Sequence, residues 1–337
     1  MSCGLEFDYI KSVRIYHWLI CIIWIVKAIK GAKKVSVANH IEILTLRANF
    51  QAEESGTLPA YLGSTIRGIL GHCMREAACT NPGVQCHLCH VSADCEYARS
   101  FNSPGNVAGA VNPFVIHAPV RDKTAWKAGD PCNFNITILG KATQAADFYL
   151  NGLIAMGKRG WGVNRMKFSI SHITNSRNNT LVWSGGKTWP QNLKASPLNV
   201  NEKQAKSVLI QFDTPTRILV KRQLCKRLTF ENIVQSLVRR IGLLSHAYSG
   251  KRMEWDEDEL IEKAKNVRTL EENWRFVDFK RYSITYDKKL ALPAIEGWAR
   301  YEGDLTPFTE LLEAGKRFHI GKNATHGFGH YKVFWDN

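Results

Sequence analysis

Four of the nine cysteines in this 337-residue chain fall close together, Cys79, Cys86, Cys89 and Cys95, spaced C-x6-C-x2-C-x5-C with His87 and His90 interleaved. Thiolates packed this closely on a short loop suit tetrahedral zinc. Four sulfur ligands would leave no open coordination position, so an ion there would be structural and not catalytic. The C-x2-C pair is the usual knuckle and the outer spacings are irregular, which leaves four reduced, unliganded thiols as the competing reading. Nine is an odd number and no cleavable export signal precedes it, so a reducing, cytoplasmic compartment without a disulfide framework is expected.

Two glycine turns also carry chemistry-bearing flanks. Gly160-Trp161-Gly162 follows Lys158 and Arg159, and Gly327-Phe328-Gly329 follows Lys322 and His326 and precedes His330. Glycine in such a place supplies a positive φ for a helix-to-strand connection. It also lets backbone N–H groups approach phosphate oxygens, and the cations beside both turns favour that second use. Trp161 and Phe328 either stack on unpaired bases or fill the core. Neither turn has the spacing of a nucleotide-binding P-loop or of a dinucleotide-binding fold, which argues against ATP or NAD chemistry.

The elements that would hold these groups recur in two halves. A strand at 41–50 is followed by a helix at 60–76 with Ile66, Ile69, Leu70 and Cys73 on one face, extended segments near 113–120 and 132–139, a helix at 143–157, the first glycine turn and a strand. A strand at 208–212, a helix at 229–247 striped by Ile233, Leu237, Ile241 and Leu244, strands near 281–286 and 294–301, a short helix, the second glycine turn and a last strand repeat that order. Ile41 to Gly160 and Val208 to Gly327 both span 119 positions, which points to internal duplication. Strand–helix–strand–strand–helix–strand is the split βαβ, ferredoxin-like order, so the expectation is an α+β chain of two such domains, 35–190 with its cysteine loop at 79–95 and 206–337 with its glycine-rich loop at 321–329. The join falls in the polar stretch 176–206.

Composition agrees. With 45% hydrophobic and 22% charged residues the chain is globular, which excludes collagen-like, disordered and coiled-coil classes. A net charge of +15 favours an anionic partner, and it is spread as +4 over residues 1–34, +6 over 35–205 and +5 over 206–337, so it belongs to the folded body and not to a tail. Residues 1–34 break the pattern. Their apolar run Trp18 to Val26 has nine residues, short of the roughly 20 a membrane span needs. The expectation is a leader outside the fold, from an overextended reading frame, with no membrane partner.

At this point the residues resemble a known family. HIGKNATHGFGHYKVF is similar to the glycine-rich signature of the RAMP superfamily of CRISPR-associated proteins. LPAYLGSTIRGILGHCMREAAC, the C-x2-C…CEYA loop, NPFVIHAP, TPTRILVKRQL, LTFENIVQSLVRRIGLLSHAY and KRYS resemble, in the same order, its CRISPR RNA-processing endoribonucleases. The resemblance covers about residues 38–335. It implies tandem ferredoxin-like (RRM-like) domains, precursor CRISPR RNA as substrate, other CRISPR effector subunits as partners, no DNA and no metal in the cleavage step. RNA contacts are expected at the two glycine turns and the cations beside them, Lys158, Arg159, Gly160, Trp161, Gly162, Lys322, His326, Gly327, Phe328 and Gly329, and at Arg239, Arg240 and Arg281. Metal-free cleavage uses the neighbouring 2′-hydroxyl and needs a general acid and base. His72, on the first helix where the family commonly keeps its active site, is the candidate, with His40, Tyr61, His117 and His246 as rivals. After RYS this chain has Ile-Thr-Tyr where relatives often have Arg-Gln. A non-catalytic RNA-binding subunit of an effector complex is the alternative on the same fold, and a zinc-stapled RNA-binding module outside CRISPR is the more distant one.

Overall fold

The structure is a computed structural model describing residues 38–102, 111–119, 122–283 and 288–336; the expected leader at 1–34 lies outside them. The first half opens with β1 (Glu42–Ala52), in which Leu44, Leu46, Ala48 and Phe50 alternate onto the buried face. Helix α1 (Gly63–Ala78) buries the expected stripe Ile66, Ile69, Leu70 and Cys73 together with Met74. The cysteine loop and a short helix α2 (Glu96–Phe101) follow, then β2 (Phe114–His117), β3 (Pro131–Leu139), α3 (Ala146–Met156), β4 (Phe168–Asn175) and β5 (Thr180–Ser184). The sheet order is β2-β3-β1-β4-β5, antiparallel throughout, so the first four strands have the ferredoxin-like arrangement. Two-residue strands Lys187–Thr188 and Ser196–Pro197 extend this seven-stranded sheet. The polar stretch 176–206 is therefore partly sheet, and more than a linker.

The second half repeats the arrangement with β6 (Ser207–Thr216), α4 (Phe230–Ser249), α5 (Glu257–Lys265), β7 (Arg268–Val277), β8 (Ala294–Glu302), α6 (Thr309–Phe318) and β9 (Tyr331–Asp336) in the order β7-β8-β6-β9. Helix α4 begins at a capping box, in which the Thr229 side chain accepts from the Asn232 N–H while the Asn232 side chain accepts from the Thr229 N–H, and ends at left-handed Gly250. The second strand of this half is Arg268–Val277. The segment expected to supply it, near 281–286, contributes Lys280–Ser283 to a separate hairpin with Lys288–Ala291.

Each half has its own core, one around Phe50, Phe134, Trp161 and Phe168, the other around Phe230, Leu237, Tyr301 and Phe318. A third, small cluster joins them: Tyr61 before α1, Phe279, Ala294 and Phe328 of the glycine loop, with the Tyr61 and Phe328 rings 5.7 Å apart. Among the described residues no helix is long and apolar enough to cross a membrane.

Candidate functional site

The second glycine turn is the place where the halves meet. Its backbone passes so close to the start of α1 that a Cβ on Gly63 would lie 2.0 Å from the His326 carbonyl oxygen, and one on Gly327 would lie 2.3 Å from the Tyr61 hydroxyl. Gly327 (φ +86°) and Gly329 (φ +77°) hold conformations that only glycine adopts freely. Arg67 of α1 donates from Nε to the Thr325 hydroxyl at 3.2 Å. The expected phosphate cradle of N–H groups is not available over most of this loop. The N–H groups of His326 and Phe328 donate to the Asn323 carbonyl, that of Gly327 to Ala324, that of Gly329 to Pro215 and that of Lys322 to Arg217.

Side-chain charge is what the loop offers instead. Lys322 and Arg239 are exposed, Arg217 is half-buried and Arg240 is buried. Burial, then the charges of Arg239, Arg217 and Arg240, lower the Lys322 ammonium pKa from its usual value. Arg240 donates from Nε to the Phe318 carbonyl at 2.7 Å, and burial brings its guanidinium down to about 10, still charged at neutral pH. Arg217 donates from Nε to the Pro293 carbonyl. Among the described residues none of these four cations pairs with a carboxylate.

The first glycine turn is different in use. Trp161 and Met166 exchange backbone hydrogen bonds across it, and Arg159 pairs with Glu76. Trp161 and Phe328 are both fully buried, so each ring takes the core role and neither can stack on a base. His326, also buried, belongs to the junction, while Lys158 is exposed. Arg281 lies in the strand Lys280–Ser283.

The histidines are scattered. His72 is exposed on α1, with no hydrogen bond or ion pair to the described residues, nine positions from Gly63 and so about 13 Å along the helix from the glycine loop. His246 is exposed on α4. His40 Nε2 lies 2.6 Å from the Ser245 hydroxyl, which itself donates to the Lys251 carbonyl, so the imidazole is the donor. Tyr61 is buried in the junction cluster. What the sequence reading missed is a cluster assembled from distant positions: His117 at the end of β2, Asp213 in β6, His330 just before β9, and His319 after α6. His330 Nδ1 is 2.6 Å from Asp213 Oδ1 and His117 Nε2 is 3.6 Å from Oδ2. Although burial acts to raise its pKa, the hydrogen bond from His330 and the nearness of the His117 and His330 rings hold the Asp213 carboxyl well below the usual carboxylate range. His319 is fully buried beside them, its Nδ1 3.0 Å from the Phe328 carbonyl, and burial keeps it neutral. His117, a rival catalytic candidate, and His330, a flank of the glycine turn, stand out in the sequence, but no spacing joins them to each other or to Asp213.

Cys79, Cys86, Cys89 and Cys95 line one small cavity with Val84, Val91 and Tyr97, and His87 and His90 point outward as exposed side chains. All four thiols are free. Burial raises Cys86, and the nearby Cys95, Cys79 and Cys89 push the same way. The sulfurs are not closed to coordination distance: among the described residues the group with three donor atoms within 4.8 Å of one another is His117, Asp213 and His330. The larger cleft, about 290 Å³, is lined by Arg177, Lys316 and Arg317 among others and by none of the residues singled out from the sequence.

In sequence, residues 41–198 match the N-terminal domain model AF_1859_N, and residues 210–331 match the CRISPR-associated endoribonuclease Cas6. No curated protein matches the chain. Among solved structures, a partial Cas6-RT-Cas1–Cas2 complex superposes with a TM-score of 0.56 at 12% identity, over 88% of this chain and 46% of that one, so this chain spans less than half of that protein. A Cas6 product complex gives 0.55 at 14% identity over 87% of this chain and 100% of that one. Thermus thermophilus Cas6 gives 0.52 at 14% over 87% and 99%. These likenesses carry the tandem ferredoxin-like fold. The two family matches run in order from residue 41 to residue 331, and together with that fold they make this chain Cas6-like.

Proposed function

We propose that the chain is an endoribonuclease that cuts CRISPR repeat RNA. The observation that carries this reading beyond the family match is the group of cations Arg217, Lys322, Arg239 and Arg240 beside the second glycine loop, with no carboxylate paired to them among the described residues. An anion bound there would relieve their mutual repulsion, and a phosphate backbone supplies several negative charges.

The reaction proposed is in-line attack of a 2′-hydroxyl on the adjacent phosphorus. A base takes the hydroxyl proton, the new O–P bond closes a 2′,3′-cyclic phosphate, and the bond to the 5′-oxygen breaks as an acid protonates it. Imidazole exchanges protons near neutrality, and His72 is the exposed one on α1 with no other engagement. RNA held at the glycine loop and running along α1 past Arg67 would cover the 13 Å or so from Gly63 to His72 in about four nucleotides at a helical rise of about 3.4 Å. The cysteine loop, in this reading, closes around one zinc that staples the end of α1, where Arg75 also donates to the Pro82 carbonyl at 3.0 Å. The zinc takes no part in cleavage.

The test is incubation of the full chain with repeat RNA in EDTA. Cleavage to cyclic-phosphate and 5′-hydroxyl ends is expected. Tight binding without cleavage would instead make the chain a non-catalytic RNA-binding subunit, the reading favoured by the distance between His72 and the glycine loop.

A further inference from the structure

His117, Asp213 and His330 converge from both halves of the molecule. Their side chains are 19%, 24% and 17% exposed, too covered for a solvated charge pair and open enough to admit an ion. The three donor atoms lie within 4.8 Å of one another. The two imidazoles face each other, ring centroids 3.7 Å apart and planes within 12°.

Hydrogen bonding alone does not account for this arrangement. His330 Nδ1 reaches Asp213 at 2.6 Å, but His117 Nε2 stops 3.6 Å from the other carboxylate oxygen and is buried without a hydrogen-bond partner. A buried imidazole nitrogen left unpaired in this way is a costly arrangement that a ligand would relieve. The scaffold behind it is firmly built. The His330 N–H donates to the Thr214 hydroxyl at 2.9 Å and the Asp213 N–H to the His330 carbonyl, so β6 and the start of β9 cannot drift apart. His117 alone comes from the first half.

We propose that His117, Asp213 and His330 form a binding site for a divalent transition metal of the zinc class, which would tie β2 of the first half to β6 and β9 of the second. Two imidazole nitrogens and one carboxylate oxygen are donors that suit zinc, nickel or cobalt over magnesium or calcium, which take oxygen ligands. Bonds of about 2.0–2.2 Å would set the three donor atoms about 3.3 Å apart, so His330 Nδ1 and Asp213 Oδ1 would open from 2.6 Å and the two stacked rings would turn their nitrogens toward the ion. His117 Nε2 would gain its missing partner, and water would complete the coordination. The site is independent of the cysteine loop, whose donors are sulfur, and of the proposed cleavage reaction.

The experiment uses the full chain carrying Cys86→Ser and Cys89→Ser, so that thiolate binding does not compete. After dialysis against Zn2+ and then buffer, elemental analysis should find about one zinc per chain. Co2+ in its place should give visible bands of nitrogen and oxygen ligation without the thiolate-to-cobalt charge-transfer band. Adding Asp213→Asn, which keeps the shape of the side chain, or His117→Gln should weaken Zn2+ affinity at least about tenfold. It should also abolish the rise in melting temperature that Zn2+ gives the parent. If the cysteine variant does not fold, the unaltered chain serves: a second metal equivalent with nitrogen and oxygen bands supports the site. No retained metal and no such bands, or unchanged affinity in both variants, overturns it.

Discussion

Gly63 and Gly68 share helix α1, yet a single methyl group should act oppositely at the two positions. At Gly63 the added Cβ would stand 2.0 Å from the His326 carbonyl oxygen, 2.9 Å from its carbon and 2.8 Å from the Tyr61 ring. The obstacle is backbone, so no side-chain rotation clears it, and the glycine loop must retreat by about an ångström or more to reach ordinary contact. Overpacking of this kind costs about 1–3 kcal/mol, and at the first helical position the propensity gain from alanine offsets little of it. At Gly68 nothing lies within 4 Å, and in a helix interior Gly→Ala stabilises by about 0.8–1 kcal/mol. The two variants should therefore differ by about 2–4 kcal/mol, or roughly 3–7 °C in melting temperature for a body of this size. Urea denaturation of Gly63→Ala and Gly68→Ala beside the parent measures it. Since the displaced loop carries Lys322, Gly63→Ala should also bind RNA more weakly. Equal stability of the two variants, or a Gly63→Ala protein as stable as the parent, would refute the close docking of the loop on α1.

Four further outcomes are expected. Lys322→Ala or Arg239→Ala should weaken RNA binding and flatten the slope of log K against log salt by about 0.7–0.9, whereas Arg159→Ala, whose cation is already paired with Glu76, should change the slope little. His72→Ala should leave RNA affinity nearly intact and slow cleavage at least about a hundredfold; an unchanged rate sends the search for the acid or base to other side chains. Cys86→Ser with Cys89→Ser should lower the metal content by about one zinc per chain, read by elemental analysis, with increased proteolysis of the loop. Burial and then the Lys251 charge, against Glu254, lower His40 below 6.5, so its contribution to stability is whole above that pH and is lost as pH falls from 6.5 through the folded value. Because the ring is only partly buried the loss should stay under about 1 kcal/mol, and His40→Gln should remove it from the pH profile of chemical denaturation.

The repeated strand–helix order was legible because most of its elements bury one clean face. The stripe on α1 and the alternation in β1 are patterns that a single core imposes on sequence. Strand β7 was not legible. RTLEENWRFV is an edge strand with charged residues exposed along much of its length, including Arg268, Glu271 and Arg275, so no core wrote a period into it. The aromatic-rich 281–286 carries the stronger strand pattern, which is why sequence places the strand there instead. At the site, residue types were readable and partners were not. The N–H groups of the second glycine turn are taken up partly by the carbonyls of Pro215 and Arg217, more than a hundred positions away, and Asp213 meets His330 across a similar separation. Pairings of that length leave no local spacing to detect.

The duplication itself explains why one glycine turn and not the other should serve RNA. Both turns sit at the same step of the fold, after the second helix of the ferredoxin-like unit and before its last strand, and both carry Gly-aromatic-Gly with the ring sunk into a core. The shared motif is thus accounted for by the fold: a large ring anchors the turn, and flanking glycines let the chain reverse around it. Surroundings separate the two. The first turn closes on its own half through the Trp161–Met166 bridge, and Glu76 neutralises Arg159. The second docks onto Tyr61 and Gly63 of the other half and leaves Lys322 beside Arg217, Arg239 and Arg240 with no carboxylate among the described residues. An anion gains more from the second place than from the first, because at the second it relieves repulsion and at the first it must displace an existing partner. RNA binding is therefore expected at the copy of the motif that faces the seam.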